Sequence, residues 1–305
     1  MRVIFMGTPL FGKRVLEELI KEHEVVLVVT QPDTYKGKKV IFSPVKEFAL
    51  EHGIEVYQPQ KIKLEQEKIL STVCDVIVTA AYGQIVPVSI LNHPKYHAIN
   101  VHGSLLPKYR GGAPIQRAII NGDKTSGITI MYMDKGMDTG DILEQSSLSI
   151  EGLTADEAFT RLASLGASMI NPFLAKLEIG EINPIKQDES LVSYAYNITK
   201  EEELIDFTKD ALSIYNLVRG LSSNPGAYFT LNGQIFKIYN CSVVDGSFDV
   251  SKISEVTKNY CLIGTSNGAI KIESLKPEGK NLLSFRDYYN GKGKELFKEN
   301  MEVNK

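Results

Sequence analysis

The 305-residue sequence contains no tryptophan and only three cysteines. It also has no apolar run that approaches membrane-spanning length. The cysteines (Cys74, Cys241 and Cys261) are far apart, odd in number and match no zinc-site spacing, which fits a reduced compartment. The first residues enter a strand-like run at once and lack the apolar core and cleavage site of a signal peptide. We therefore expect a soluble cytoplasmic protein.

Basic and acidic residues nearly balance, with 34 of the first kind and 37 of the second. The formal net charge of -3 argues against a general nucleic-acid coat protein, although it leaves room for a local basic patch. Residues 251–305 have only a mild positive bias, with ten basic against seven acidic residues. A hydrophobic content of 43% suffices for packed cores, and the length predicts two domains.

The N-terminal half alternates predicted strands and helices. Residues 2–6 and 24–30 read as buried strands, and residues 10–20 between them have helical apolar spacing. A strand–helix–strand opening is typical of α/β proteins with a doubly wound, Rossmann-like sheet. The sequence therefore predicts an α/β N-terminal domain of this class.

No complete nucleotide-binding motif is present. The spacing of Gly7, Gly12 and Lys13 nearly spells a phosphate-binding loop, but Arg14 follows where Ser or Thr is required. Pro9 also removes a backbone N–H that a phosphate would need. A G-x-G-x-x-G motif is absent as well, so we do not predict a nucleotide cofactor here.

Three polar residues form a candidate catalytic group. Asn100 and His102 are two residues apart at the end of an apolar strand, residues 97–101, and period-two geometry puts them on one face. Asp138 lies in a glycine-flanked loop, residues 136–140, which could fold back toward the imidazole. An amide donor, an imidazole and a carboxylate suit acyl transfer by direct attack of an amine, without a Ser or Cys nucleophile.

Three segments around this group resemble the signatures of the folate-dependent formyltransferases. They read NVHGSLLP at residues 100–107, RGGAPIQ at residues 110–116 and MDTGD at residues 137–141. Within the family, the spelling is that of members acting on methionyl-tRNA. The resemblance implies that Asn100, His102 and Asp138 are catalytic. It also implies formyl transfer from 10-formyltetrahydrofolate to the α-amine of methionyl initiator tRNA, for translation initiation and without a metal.

The resemblance places the pterin ring of the folate beside an apolar loop that follows a predicted strand, residues 75–81. The carboxyl end of a strand is where open α/β sheets bind ligands. An equally simple interpretation makes Ile85 and Val86 core residues, and both interpretations can hold for one loop. The predicted folate-binding residues are Tyr82, Gly83, Ile85, Val86, Ser104, Leu105, Leu106 and Pro107.

A predicted polar loop, residues 31–42, contains Lys36, Lys38 and Lys39. The plain interpretation is a solvated loop. The resemblance implies instead a contact with the acceptor stem of tRNA, although the family's loop is typically longer and richer in arginine. These three lysines are the predicted tRNA-binding residues of the N-terminal half.

The C-terminal part has a different pattern. After a predicted helix at residues 155–177 and a polar stretch, short alternating runs flank Asn232-Gly233, a strong hairpin signal. Such runs predict a small β-barrel of the oligonucleotide-binding (OB) type. We predict a catalytic domain at 1–187, a linker at 188–204 and an OB-like tRNA-binding domain at 205–305. Further candidate phosphate contacts there are Lys276, Lys280, Lys292 and Lys294.

The sequence is also compatible with other functions. The nearest alternative is a sugar-nucleotide N-formyltransferase that uses the same donor and the same three catalytic residues. A hydrolase that releases formate from the folate is less favoured. A catalytically silent RNA-binding module is a third alternative. The lysine-containing loop and the β-rich C-terminal part favour tRNA as the acceptor.

Overall fold

The computed structural model describes all 305 residues and divides them into two compact units. The N-terminal unit comprises residues 1–114, 125–149 and 159–196. The C-terminal unit comprises residues 115–124, 150–158 and 197–305. Each unit is thus assembled from segments that alternate along the chain. The predicted boundaries at 187 and 204 stay predictions.

The N-terminal unit is built on a seven-stranded sheet with the order β5-β2-β1-β6-β7-β8-β9, beside a separate hairpin β3-β4. The strands are β1 Arg2–Gly7, β2 Glu24–Val29, β3 Thr34–Lys36, β4 Lys39–Ile41, β5 Val56–Tyr57, β6 Val76–Ala80, β7 Ala98–His102, β8 Thr125–Tyr132 and β9 Ile142–Ser149. The first six helices of the chain are α1 Leu10–Glu22, α2 Pro44–Glu51, α3 Glu67–Ser71, α4 Val88–Leu91, α5 Pro114–Ile120 and α6 Ala155–Glu178.

The central strands are parallel and almost entirely apolar. Strand β1 pairs with β2 on one side and β6 on the other, and β6 pairs with β7, all in parallel. Strands buried on both faces need such continuous apolar runs. The predicted doubly wound α/β fold is therefore confirmed. Strands β8 and β9 add an antiparallel edge that makes the sheet mixed.

Helix boundaries follow identifiable caps. The Ser43 side chain accepts a hydrogen bond from the Lys46 N–H ahead of α2, as the Ser-Pro pair predicts. Thr154 and Glu157 form a reciprocal capping pair at the start of α6. Helix α6 approaches the sheet so closely at Gly166 that an added Cβ would lie 2.9 Å from Val101. This helix therefore packs directly against the sheet.

The prediction of a plain polar loop at 31–42 was wrong. Strands β3 and β4 pair there as an antiparallel hairpin, with Lys36 opposite Lys39. The turn is made by Gly37, whose φ of +62° is in the left-handed region that glycine tolerates. Polar composition hid the strands, because both faces of this hairpin are exposed and no alternation is required.

The C-terminal unit contains an antiparallel sheet with the order β10-β11-β14-β13-β12, extended by β15. Its strands are β10 Tyr228–Leu231, β11 Gln234–Val244, β12 Ile253–Val256, β13 Cys261–Gly264, β14 Ala269–Pro277 and β15 Leu283–Ser284, and its helices are α7 Ala211–Gly220, α8 Phe285–Tyr288 and α9 Lys294–Leu296. Asn232 and Gly233 have φ of +48° and +74° in the predicted hairpin turn. The sheet curls as a half-barrel, in agreement with the predicted OB-like class.

Aromatic rings fill the centre of the C-terminal unit. Phe229, Phe236 and Phe297 contact one another edge-on or stacked, with centroids 5.3–6.4 Å apart. All three side chains are buried. Rings of this size supply much of the buried apolar area of a small unit, so phenylalanine builds a core that contains no tryptophan.

None of the helices combines the length and the apolar character that a membrane span requires.

Candidate active site

Strand β7 positions two of the three predicted catalytic side chains. Asn100 and His102 project from the same face at the carboxyl end of the strand, as period two predicts. The neighbours of β7 are β6 and β8, so this end lies inside the sheet rather than at its edge. His102 is buried and Asn100 is partly exposed. The strand therefore presents an accessible amide beside a sheltered imidazole.

Asp138 completes the group from the loop between β8 and β9. Its Oδ2 lies 3.7 Å from His102 Nδ1, and its Oδ1 lies 3.5 Å from Asn100 Nδ2. The Gly111 N–H donates to Oδ2 at 2.8 Å. Asp138 has φ of +54°, a conformation that residues other than glycine seldom adopt. The structure thus brings Asn100, His102 and Asp138 together.

The protonation state of His102 is constrained by its neighbours. His102 Nε2 lies 3.0 Å from the Tyr109 carbonyl oxygen, and a carbonyl can only accept a hydrogen bond. Nε2 must therefore carry a proton. Nδ1, which faces the Asp138 carboxylate, is the nitrogen that can take up or release one.

Thr79 on β6 fixes the orientation of the Asn100 amide. The Thr79 hydroxyl donates to Asn100 Oδ1 at 2.8 Å. Because the amide oxygen is occupied in this way, Nδ2 is directed to the opposite side, toward Asp138. Thr79 is buried, so solvent does not compete for this contact. Thr79 could not be singled out from the sequence, because it occupies an ordinary strand position.

A buried polar network supports the Asp138 loop. The Gln187 amide donates to the carbonyl oxygens of Asp138 and Gly140, each at 2.8 Å. Arg110, which is 1% exposed, donates from Nε to Gln187 Oε1 at 3.0 Å and pairs with both carboxylate oxygens of Glu189. Gln187 is the last residue of the predicted catalytic domain, and no role was predicted for it.

The loop after β6 is anchored at several points. The Tyr82 carbonyl accepts from Thr8 Oγ1 at 2.9 Å, and Gln84 Oε1 accepts from the Ile62 N–H at 2.9 Å. Val86 is 5% exposed and belongs to the core, whereas Ile85 is 88% exposed. The core interpretation therefore holds for Val86 and fails for Ile85. An apolar side chain is held in solvent by a well-anchored loop.

The second predicted folate segment runs from Ser104 to Pro107. Ser104 is fully buried and its hydroxyl donates to the Lys108 carbonyl at 2.7 Å, so that hydroxyl is already engaged. Leu106 is buried, with its N–H donating to Thr129 Oγ1 at 3.1 Å. Leu105 and Pro107 are partly exposed. These last two are the side chains of the segment that a ligand could touch.

The predicted tRNA-binding lysines are all exposed. Lys36, Lys38 and Lys39 lie on the β3-β4 hairpin, and none has an ion-pair partner. Asp33, the nearby acid in sequence, is paired with Lys46 at 2.6 Å and has a lowered pKa in spite of its desolvation. The hairpin therefore carries three uncompensated positive charges.

The three cysteine thiols are free and buried. Burial raises the pKa of the Cys74 thiol to about 11 and that of Cys241 to about 12, so both are protonated at neutral pH. Cys261 is buried as well. No group of three or more His, Cys, Asp or Glu side chains is arranged to hold a metal ion.

Comparison with known proteins gives matches over almost the full length. The formyl transferase family matches residues 1–171, and the formyl transferase C-terminal domain matches residues 197–293. Methionyl-tRNA formyltransferase of Staphylococcus epidermidis is 46% identical over 95% of this chain and 96% of its own. The Streptococcus thermophilus enzyme of the same name is 44% identical, with 97% of each chain covered.

A solved structure shares the fold at lower identity. It is an N-formyltransferase from Helicobacter canadensis in complex with folinic acid and dTDP-3-aminofucose. The likeness has a TM-score of 0.70 and covers 88% of this chain and 98% of the other, with 21% sequence identity. At that identity the match supports the architecture alone.

Proposed function

This chain belongs to the formyl transferase family, and from that premise we propose that it formylates methionyl-tRNA. The formyl group moves from 10-formyltetrahydrofolate to the α-amine of the methionyl group on initiator tRNA. The observation that carries the proposal is the convergence of Asn100, His102 and Asp138 at the end of β7. Their chemistry fits the acyl transfer that the relatives' names describe.

The reaction begins with attack of the amine on the formyl carbon. A tetrahedral intermediate forms, and negative charge develops on the formyl oxygen. The Asn100 amide, oriented by Thr79, donates an N–H to that oxygen. An oriented donor stabilises developing charge without having to reorganise, so this contact strengthens as the barrier is crossed.

His102 Nδ1 is the ring nitrogen that can bind a second proton, in addition to the one on Nε2. Nε2 is committed to the Tyr109 carbonyl, so a proton taken up by the ring is carried on Nδ1. The Asp138 carboxylate at 3.7 Å stabilises the imidazolium that results, yet it is too distant to occupy Nδ1 fully. A protonated Nδ1 can therefore donate to the oxyanion, and Asp138 stabilises the positive charge. Collapse of the tetrahedral intermediate then breaks the bond between the formyl carbon and N10 of the folate. The proton lost by the attacking amine passes to the departing N10, so formylmethionyl-tRNA and tetrahydrofolate are released.

The formyl donor binds between the loop at Tyr82–Val86 and the segment at Ser104–Pro107. Exposed Ile85 and partly exposed Leu105 and Pro107 supply apolar surface for a flat pterin ring. Gly83 has φ of +94° and carries no side chain that would narrow the space beside Ile85. Tyr82, Val86, Ser104 and Leu106 shape the pocket from within the core.

Methionyl-tRNA is favoured over a sugar nucleotide as the acceptor. Relatives named for methionyl-tRNA match at 44–46% identity, whereas the sugar-binding structure matches at 21%. The three uncompensated lysines on the β3-β4 hairpin also suit a phosphate backbone. Exposed Lys276, Lys280, Lys292 and Lys294 of the C-terminal unit offer further phosphate contacts.

The test is direct incubation with acceptor and donor. The protein is mixed with methionyl-tRNA and 10-formyltetrahydrofolate, and the amino acid released from the tRNA is analysed by mass. Formylmethionine is expected. A parallel reaction offers dTDP-3-aminofucose as the acceptor. Formylation of the sugar without formylation of methionyl-tRNA would overturn the proposal and support the alternative.

A further inference from the structure

Two exposed tyrosines form a surface suited to stacking, next to the segment around Gly111 that contacts Asp138. The rings of Tyr194 and Tyr196 are 5.7 Å apart and inclined by only 10°. Their residues are 51% and 64% exposed, while Ala195 between them is fully buried. The backbone therefore turns the two rings outward together. We call Tyr194 and Tyr196 the tyrosine pair.

Main-chain contacts tie the tyrosine pair to the catalytic group. The Ala195 N–H donates to the Arg110 carbonyl at 2.7 Å, and the Ala113 N–H donates to the Ala195 carbonyl at 2.9 Å. Between these residues, Gly111 donates its N–H to the Asp138 carboxylate at 2.8 Å. A Cβ on Gly111 would lie 2.8 Å from the Ala195 carbonyl oxygen. The tyrosine pair thus borders the loop that positions Asp138.

A lysine without an ion-pair partner lies in the segment that contacts the residue before the tyrosine pair. This cation is Lys108, whose side chain is exposed. The residue after it, Tyr109, donates its N–H to Ser193 Oγ at 3.0 Å, directly before the tyrosine pair in the chain. Aromatic faces combined with an unpaired positive charge are the two features by which proteins bind single-stranded nucleic acid.

We infer that the tyrosine pair stacks an unpaired base at the aminoacylated end of the tRNA, with Lys108 beside the adjoining phosphate. This inference rests on the proposed function, because it assumes that the acceptor amine is carried by a nucleic acid. The aminoacylated end of a tRNA is single-stranded, so its bases are free to stack. Because stacking reads the ring face and not its edge, the contact holds the end in place without selecting a base.

Substitutions of the pair separate stacking from structural support. Tyr194→Ala and Tyr196→Ala should each raise the KM for methionyl-tRNA, by about tenfold for loss of one stack. The kcat and the KM for the formyl donor should stay unchanged. Tyr194→Phe and Tyr196→Phe should retain most of the affinity, because the ring remains. Tyr96→Ala, before the amino end of β7, is the matched control for loss of a tyrosine.

Two kinetic outcomes would overturn the inference. An unchanged tRNA KM in both alanine variants would mean that no base stacks there. A fall in kcat together with equal changes in both KM values would mean that the tyrosines only support the Gly111 loop. Thermal midpoints of all the variants identify any that fail to fold.

A fluorescence measurement tests binding independently of formyl transfer. Since the chain has no tryptophan, Tyr196→Trp introduces a single reporter. Methionyl-tRNA added without formyl donor should quench that reporter strongly, and it should leave Tyr96→Trp almost unaffected. Absence of quenching at saturating tRNA would overturn the inference. Quenching in a protein that does not formylate the tRNA would instead refute the proposed function alone.

Discussion

At the level of single residues, His102 has one ring nitrogen hydrogen-bonded and the other free to act in the reaction. The Tyr109 carbonyl fixes the proton on Nε2, and Asp138 faces Nδ1. The proximity of Asn100, His102 and Asp138 could be predicted, because strand periodicity and a glycine-flanked loop are both visible in the sequence. The Tyr109 carbonyl and the Gly111 N–H could not, since every residue carries such groups and only the fold aims them.

Loss of either donor to the oxyanion should abolish most of the activity. Asn100→Ala is expected to cost roughly 3–4 kcal/mol of barrier, the value typical for one oxyanion donor. His102→Ala should be at least as severe, because it also removes the proton carrier. Formyl transfer to methionyl-tRNA under saturating conditions measures both effects. A His102→Ala protein with near-normal turnover would contradict the mechanism.

Thr79 gives a more selective test of the Asn100 orientation. Thr79→Val keeps the shape of the side chain but removes the donor to Asn100 Oδ1. An unsatisfied amide oxygen costs about 1–3 kcal/mol, so the amide should turn and kcat should fall about tenfold or more. Thr79→Ser is the matched control, because it retains the hydroxyl. Equal kcat values for the two variants would show that the contact does not orient Asn100.

Ile85 is the residue at which donor binding can be tested without disturbing the core. Ile85→Asp should leave folding intact because the side chain is exposed, and it should raise the Kd of the folate donor by placing an unpaired charge in an apolar slot. Val73→Asp is the control, since Val73 is also exposed but precedes the amino end of β6. An unchanged donor Kd in Ile85→Asp would place the pocket elsewhere.

At the level of elements, the β3-β4 hairpin shows what composition alone conceals. Its lysines were identified from the sequence, but its strands were not, because Tyr35 and Val40 pair on an exposed face that gives no buried–exposed alternation. Strands β1, β2 and β6 were predicted well for the opposite reason. They are largely buried on both faces and read as continuous apolar runs.

Removal of the hairpin charges should weaken binding of the acceptor alone. Changing Lys36, Lys38 and Lys39 together to Ala is expected to raise the KM for tRNA. It should also flatten the plot of log KM against log salt concentration. The slope should fall by about one for each lysine that binds a phosphate in the native protein. The donor KM should hardly change. These quantities are measured from about 50 to 200 mM salt, the range over which such binding responds strongly.

The control for this triple variant removes lysines from the opposite end of the sheet, where the parallel strands begin. Lys21 lies in the last turn of α1, which leads to the start of β2, and Lys95 precedes β7. Both lysines are therefore near the amino ends of the strands. Their joint substitution by Ala should leave the salt slope unchanged. Identical slopes for the hairpin variant and the native protein would mean that other groups bind the tRNA.

At the level of the whole molecule, the units are assembled from alternating segments of the chain. Residues 115–124 and 150–158 belong to the C-terminal unit although they precede most of it by many residues. Arg219 illustrates the consequence, because its guanidinium donates to the carbonyls of Ile119 and Leu153 within that unit. Long-range pairing of this kind leaves no local pattern, so it cannot be predicted from the sequence.

The ion pair between Arg117 and Glu202 should make stability of the C-terminal unit depend on pH. Hydrogen bonds from Arg117 lower the pKa of Glu202 to about 2 from an ordinary value of 4.5. A lowered folded-state pKa contributes stability that is complete above pH 4.5 and is lost as the pH falls toward 2. The partial exposure of both side chains limits the contribution to about 1 kcal/mol or less.

Glu202→Gln tests this dependence, because it removes the charge and keeps the size. The difference in free energy of unfolding between the native protein and the variant should be constant from about pH 7 to pH 5 and should shrink at about pH 4 and below. Urea unfolding at each pH gives the difference. A difference that does not vary with pH would contradict the assignment.

The support of Asp138 by Gln187 also bears on how the molecule is made. Gln187 follows Asp138 by 49 residues, and Glu189 follows its partner Arg110 by 79. A growing polypeptide therefore contains all of the reacting side chains well before it contains the residues that hold them. The first family match stops at residue 171, short of both supports. A chain that ended there would contain the three catalytic side chains without the residues that hold the Asp138 loop, and we expect it to transfer no formyl group.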